Sequence, residues 1–130
     1  MMLKSVPCLI AFRPSRARLD LLVNNAWAGY QAKQRSKKSG FHTSFWKLPP
    51  TFWDTMFTVG VRSHYVASGY AAAIMLQQQS GLIVHLTAAA GEKYAENVAY
   101  GVSKATVNRM AADMAQEYGF TDVNGHQPKW

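Results

Sequence analysis

A single cysteine, Cys8, occurs in the whole sequence. No disulfide can therefore form within the chain, and a thiolate-built metal site lacks ligands. The four histidines, His42, His64, His85 and His126, are scattered and show neither helical nor hairpin ligand spacing. That pattern argues against a zinc site. No apolar run approaches the roughly 20 residues that span a bilayer, so a soluble chain without a membrane partner is expected. Acidic residues are scarce, seven against fourteen lysines and arginines. There is no internal repeat.

What is present suits one folded domain. The chain has 130 residues, 48% of them hydrophobic and 16% charged, which is not a disordered composition. Its basicity sits at one end: residues 1–47 hold nine basic groups against Asp20, whereas residues 48–130 hold five basic and six acidic groups. The run from Lys33 to Lys38 could meet phosphates, although a solvated loop is the plainer reading. Residues 1–18 lack acids and carry several arginines around a short apolar stretch. They read as a non-homologous or truncated start of a cytoplasmic protein, and their composition also permits a mitochondrial presequence.

Two short apolar runs read as buried parallel strands, Leu19 to Asn24 and Leu82 to Leu86. After Pro49-Pro50, Thr51 can cap a long helix reaching about Gln78. Phe52, Met56, Val59, Val66, Tyr70, Ala73 and Ile74 mark its apolar face, with Gly60 and Gly69 as weak points. At 1.5 Å per residue it would be about 40 Å long and must pack against something sizeable. A second long helix is expected from about Asn97 to Tyr118, burying Val98, Val102, Ala105, Met110, Met114 and Ala115. Strand, helix, strand, helix is the order of an α/β fold with a parallel sheet. Two strands alone would leave apolar edges unpaired.

The sharpest chemical signal is Tyr100-Gly101-Val102-Ser103-Lys104. Tyr100 and Lys104, four residues apart, share one helix face. A phenol titrates near 10 and moves protons poorly at neutral pH. An ammonium at about 4 Å, with an effective dielectric of about 20, favours the phenolate by a few kcal/mol before desolvation is subtracted. Tyrosine then becomes a useful general acid or base. Alone, this spacing is also that of an ordinary surface pair.

The surroundings sharpen it. Thr87 ends an apolar strand thirteen residues before Tyr100, and Asn24-Asn25-Ala26 follows the other strand. Trp53-Asp54 leads to Val59-Gly60-Val61-Arg62 in the long helix. With these motifs in this order, residues 19–118 resemble the short-chain dehydrogenase/reductase family. The phrase from Asn97 to Ala105 resembles most its member 1-like branch. The resemblance implies a partial Rossmann-like, doubly wound parallel sheet over residues 19–119, followed by an irregular tail, 120–130. It implies NAD or NADP as cofactor and a small-molecule carbonyl or alcohol as substrate. Tyr100 would exchange the proton, and Lys104 would lower its pKa and hold the nicotinamide ribose. Thr87, where the family has serine, would donate to the carbonyl oxygen. Asn25 and Ala26 would lie along the cofactor, with Asn25 also tying neighbouring strands. The two long helices would form a homodimer interface.

Three departures accompany the resemblance. Gly60 stands where the family usually has an asparagine that supports a water and the lysine, a change shared with the branch it resembles most and not read as inactivating. No G-x-x-x-G-x-G loop for the pyrophosphate precedes Leu19. The segment after the Tyr100 helix does not resemble the family's next strand. A catalytically silent relative is therefore the favoured reading of this chain in isolation, with an active NAD(P)-dependent oxidoreductase as the family-level reading. A basic module in which Phe45 and Trp46 interleave with the Lys33–Lys38 charge, stacking on nucleic acid, is the weakest.

Overall fold

A computed structural model of the chain describes residues 18–29 and 42–118. The N-terminal segment before Arg18, the Lys33–Lys38 run and the tail after Tyr118 lie outside the described residues.

Strand β1 (Leu21–Asn24) pairs with β2 (Leu82–His85) in parallel. The register sets Leu21 opposite Leu82 and Asn24 opposite His85. Backbone bonds from Leu82 to the Asp20 carbonyl and from Leu86 to the Asn24 carbonyl, each 2.9 Å, extend the ladder at both ends. A parallel pair cannot be joined by a tight turn and needs a long crossover. Here the crossover contains helix α1 (Pro50–Phe57), a π-helical turn (Thr58–Arg62) and helix α2 (Ser63–Gln78). Helix α3 (Val98–Tyr118) follows β2 and packs against α1 and the π turn.

The first helix starts differently from expectation. Pro50 occupies its first turn and Pro49 caps it without a side-chain bond, so Thr51 lies inside the helix. Proline has no N–H to satisfy and its fixed φ suits the first helical position, which removes the need for a hydroxyl cap.

The buried face of the crossover also differs. It runs through Phe52, Met56, Gly60, His64, Ser68, Ala71, Ala72 and Met75, while Val59, Val66 and Ile74 are half-buried and Tyr70 and Ala73 exposed. The first five buried positions are four apart. In a regular α-helix such a stripe drifts by about 40° per step. The π turn inserts an extra residue and swings the later positions back onto the packed face. On α3 the buried residues are Ala99, Ser103 and Val107, whereas Val98 and Val102 are each 41% exposed. A different face of α3 lies close to the loop after β2. A Cβ on Gly91 would stand 3.0 Å from the Lys104 backbone, and one on Gly101 3.2 Å from the Ala90 carbonyl. These approaches leave no room for a side chain at Gly91 or Gly101.

The hydrophobic centre is Phe52, Met56 and Ala99, with Trp27, Leu48, Phe57 and Tyr100 packed around it. Each large side chain buried there contributes about 1.5–3 kcal/mol. Gln78 anchors the approach to β1: its amide donates to the Leu19 carbonyl at 2.6 Å and its oxygen accepts from Leu19 N–H at 3.2 Å.

Helix α2 ends at Gln79, which takes a left-handed conformation with φ 52°. Glycine adopts this geometry without a Cβ penalty. Gln79→Gly is expected to stabilise the fold by about 0.5–1 kcal/mol, read as a higher urea midpoint at unchanged m-value.

Candidate active site

Both strands end at the same edge of the sheet, and the sequence-predicted residues gather there. Helix α3 begins with an asparagine cap: Asn97 Oδ1 accepts from the Tyr100 N–H at 2.9 Å, and Asn97 is 2% exposed. This cap satisfies an orphan donor of the first turn and fixes where the helix starts. Tyr100 therefore lies in the first turn, directly over the core. Lys104 follows one turn later, its Nζ 5.8 Å from the centroid of the Tyr100 ring. Ser103 donates to the Tyr100 carbonyl at 2.8 Å. Thr87, exposed just beyond β2, donates its hydroxyl to the Lys104 carbonyl at 3.3 Å. Tyr100 and Lys104 thus lie one turn apart on α3, and Thr87 meets that helix at the Lys104 backbone.

Trp27 completes one wall. Its indole is 5.9 Å from the Tyr100 ring, tilted by 58°. Asn25 and Ala26, at the carboxyl end of β1, are exposed. The asparagine that ties the strands is Asn24 rather than Asn25. Strand alternation turns Asn24 inward, where it is 5% exposed, and leaves its neighbour facing out. The Asn24 amide donates to Ser68 Oγ at 2.9 Å and to His85 Nδ1 at 3.4 Å. His85 Nε2 in turn lies 3.5 Å from Ser68 Oγ.

A second buried histidine, His64, lies 5.8 Å from His85 between ring centroids. Its Nε2 reaches the Ala26 carbonyl at 3.2 Å. This Asn24–His64–Ser68–His85 cluster escaped the sequence reading. The signal was present: His64 and Ser68 are four apart, in phase with Phe52 and Met56 on the packed face. Hydropathy alone hides them.

The electrostatics depart from the simple tyrosine–lysine picture. Burial pushes the Tyr100 phenol above its ordinary value, and the Glu96 charge adds to this. Burial likewise lowers the Lys104 ammonium. The described ion pairs join Arg18 to Asp20, His42 to Glu96 and Arg109 to Asp113, so Lys104 has no carboxylate partner among the described residues. An ammonium, a phenol and a threonine hydroxyl within one helical turn can orient a carbonyl or alcohol and exchange its proton.

With this geometry, the chain belongs to the short-chain dehydrogenase family, whose sequence model matches residues 11–128. It is similar to dehydrogenase/reductase SDR family member 1 of mouse, 44% identical over 105 residues, and to the human protein of that name, 41% identical over the same length. Each match covers 81% of this chain and 32% of the relative, so the chain spans about a third of those proteins. Among solved structures, the fold matches NAD+-bound xylitol dehydrogenase with a TM-score of 0.66 and 23% identity, over 78% of this chain and 36% of that one. ElxO with NADP bound matches with a TM-score of 0.68 and 22% identity, over 88% and 41%. The two parallel strands and their helices thus correspond to part of a Rossmann-like short-chain dehydrogenase fold, as expected from the motif order.

The buried histidines make stability depend on pH. Burial lowers both pKa values below the ordinary 6.5, and for His64 the charges of His85 and Lys104 lower it further, against a raising effect of its bond to Ala26. Both are neutral in the fold, so their contribution is complete above pH 6.5 and is lost as pH falls below it. The loss is expected to reach at most about 1.4 kcal/mol per pH unit for each histidine. Urea unfolding at pH 7.5, 6 and 5 measures it, and His85→Gln should flatten the dependence.

Proposed function

We propose that Tyr100, Lys104 and Thr87 form the proton-transfer apparatus of an NAD(P)-dependent oxidoreductase acting on a small-molecule carbonyl or alcohol. The observation that carries this reading is their convergence at the carboxyl edge of the strands, with Lys104 free of any described carboxylate. Thr87 and Tyr100 would hold the carbonyl oxygen. In reduction, the Tyr100 hydroxyl gives that oxygen its proton and leaves a phenolate, which the Lys104 charge stabilises. In oxidation, the phenolate takes the alcohol's proton.

The residues present fit the nicotinamide–ribose end of NAD or NADP. The Lys104 ammonium can donate to ribose hydroxyls, and Asn25 and Ala26 line the exposed edge beside them. When bound, the nicotinamide supplies or accepts the hydride. The raised Tyr100 pKa supports a resting phenol that needs a further positive charge beside it before it ionises readily at neutral pH.

That requirement, with Leu21, Val23 and Leu82 each about half exposed on the sheet, favours a second reading in which this chain alone is catalytically silent. Fluorescence titration of the 130-residue chain with NADH and NADPH separates the two. Micromolar binding supports the enzyme, and Lys104→Ala should then weaken it at least about tenfold, a loss of about 1.4 kcal/mol. Tyr100→Phe should leave binding intact and lower carbonyl reduction by about 10²-fold or more. A folded chain without binding would support the silent reading.

We also propose that α2 and α3 pair with those of a second copy. Phe57, Val61, Tyr65, Met110 and Met114 line a groove of about 710 Å³ along them. No helix among the described residues is long and apolar enough to cross a membrane. Sedimentation should show a dimer that Met114→Glu converts to monomer.

A further inference from the structure

Asn24, Ser68 and His85 close a polar triangle at the end of the sheet. The Asn24 amide nitrogen lies 2.9 Å from Ser68 Oγ and 3.4 Å from His85 Nδ1, and His85 Nε2 lies 3.5 Å from Ser68 Oγ. An amide nitrogen only donates, so His85 Nδ1 carries a lone pair and the ring proton sits on Nε2, toward Ser68. Ser68 is fully buried and Asn24 is 5% exposed. Neither can trade these partners for bulk water without cost.

A proton on His85 reverses one side of the triangle, because Nδ1–H would then face an amide N–H, donor against donor. No carboxylate pairs with His85 among the described residues. Of the elements packed against β2, α2 brings His64, with 5.8 Å between ring centroids, and β1 brings the uncharged Asn24. Helix α3 brings Lys104, whose charge acts on His64. His64 is 1% exposed whereas His85 is half-buried, so His85 is the ring that water reaches. On the Nδ1 side of that ring, the acceptor at hand is the carbonyl of the same Asn24 amide. Half a turn about its Cβ–Cγ bond exchanges the two arms, a torsion that is broad and roughly two-fold.

We propose that Asn24 is a proton-operated amide switch: neutral His85 holds it by its nitrogen, and protonated His85 turns it over and holds it by its oxygen. The polarity closes in both positions. Ser68 accepts from the amide nitrogen in the first and donates its hydroxyl to the amide oxygen in the second. The tie between β1, β2 and α2 survives the proton, and what changes is the arm that Asn24 turns away from the triangle. Asn24 lines a cavity of about 260 Å³ together with Asn25, Ala26 and Ser63. The outward arm is a carbonyl at neutral pH and an amide N–H in acid. The switch is independent of the enzymatic reading and needs neither cofactor nor turnover.

The test is NMR on the full 130-residue chain, labelled with 15N and 13C at asparagine and histidine, between pH 8 and pH 5. At pH 8 the Asn24 amide protons should show contacts to Ser68 and His85. As His85 titrates, these contacts should be lost in step with its protonated fraction, while contacts from the Asn24 Cβ protons to Ser68 and the backbone amides of α3 stay unchanged. His85→Gln cannot take up the proton, and there the Asn24 amide contacts to Ser68 should be the same at both ends of the range. Asn24→Asp offers an acceptor throughout, so in that variant His85 should titrate at higher pH than in the wild type. Any of four results overturns the switch: amide-proton contacts that persist once His85 is protonated, the same loss in His85→Gln, an unchanged His85 titration in Asn24→Asp, or loss of the α3 amide signals together with the contacts.

Discussion

The parallel pairing of β1 with β2 is the constraint on which the rest depends. It obliges the chain to leave the sheet, cross it through α1, the π turn and α2, and return in the same direction. Both strands then end at one edge, with Asn24 opposite His85. Just past those ends lie Asn25, Ala26 and Trp27 after one strand and Thr87 after the other. The hydrogen bonds of Asn24 to Ser68 and His85 hold the two strands and the crossover helix to each other at that edge.

Helix α3 reaches the edge by a different physical route. Its start is set by Asn97 and its depth by small residues. Ala90 and Gly91 on the loop face Gly101, Lys104 and Ala105 on the helix at backbone distance. Lys104 therefore presents its backbone carbonyl to Thr87 while its side chain runs toward the Tyr100 ring. Position along the helix and distance from the sheet are fixed separately, and a tyrosine four residues before a lysine becomes a site only when both are right.

Much of this was legible from residues alone. The strands, the long crossover, α3 and the placing of Tyr100 and Lys104 one turn apart on it follow from apolar runs and from motif order. The buried faces did not follow. Gly60, His64 and Ser68 are inside because a π turn shifts the helical phase, and no hydropathy pattern announces an inserted residue. Ala99, Ser103 and Val107 are inside, with Ala99 against Phe52 and Met56, so Val98 and Val102 turn outward. The Asn24/Asn25 choice was likewise decided by strand alternation, one residue away from the expectation. The expected effect of Lys104 on the phenol was stated before desolvation, and here burial and the Glu96 charge raise the phenol instead.

The contact between Trp27 and Tyr100 has an optical consequence. Trp46 and Trp53 are 71% and 43% exposed and emit as indoles in water, whereas Trp27 lies half-buried against the apolar centre. A tyrosinate absorbs further to the red than a phenol and drains excitation from an indole 5.9 Å away. Ionisation of Tyr100 is thus coupled to quenching of the bluer part of the emission, and Trp27 is a built-in reporter of the state of that phenol.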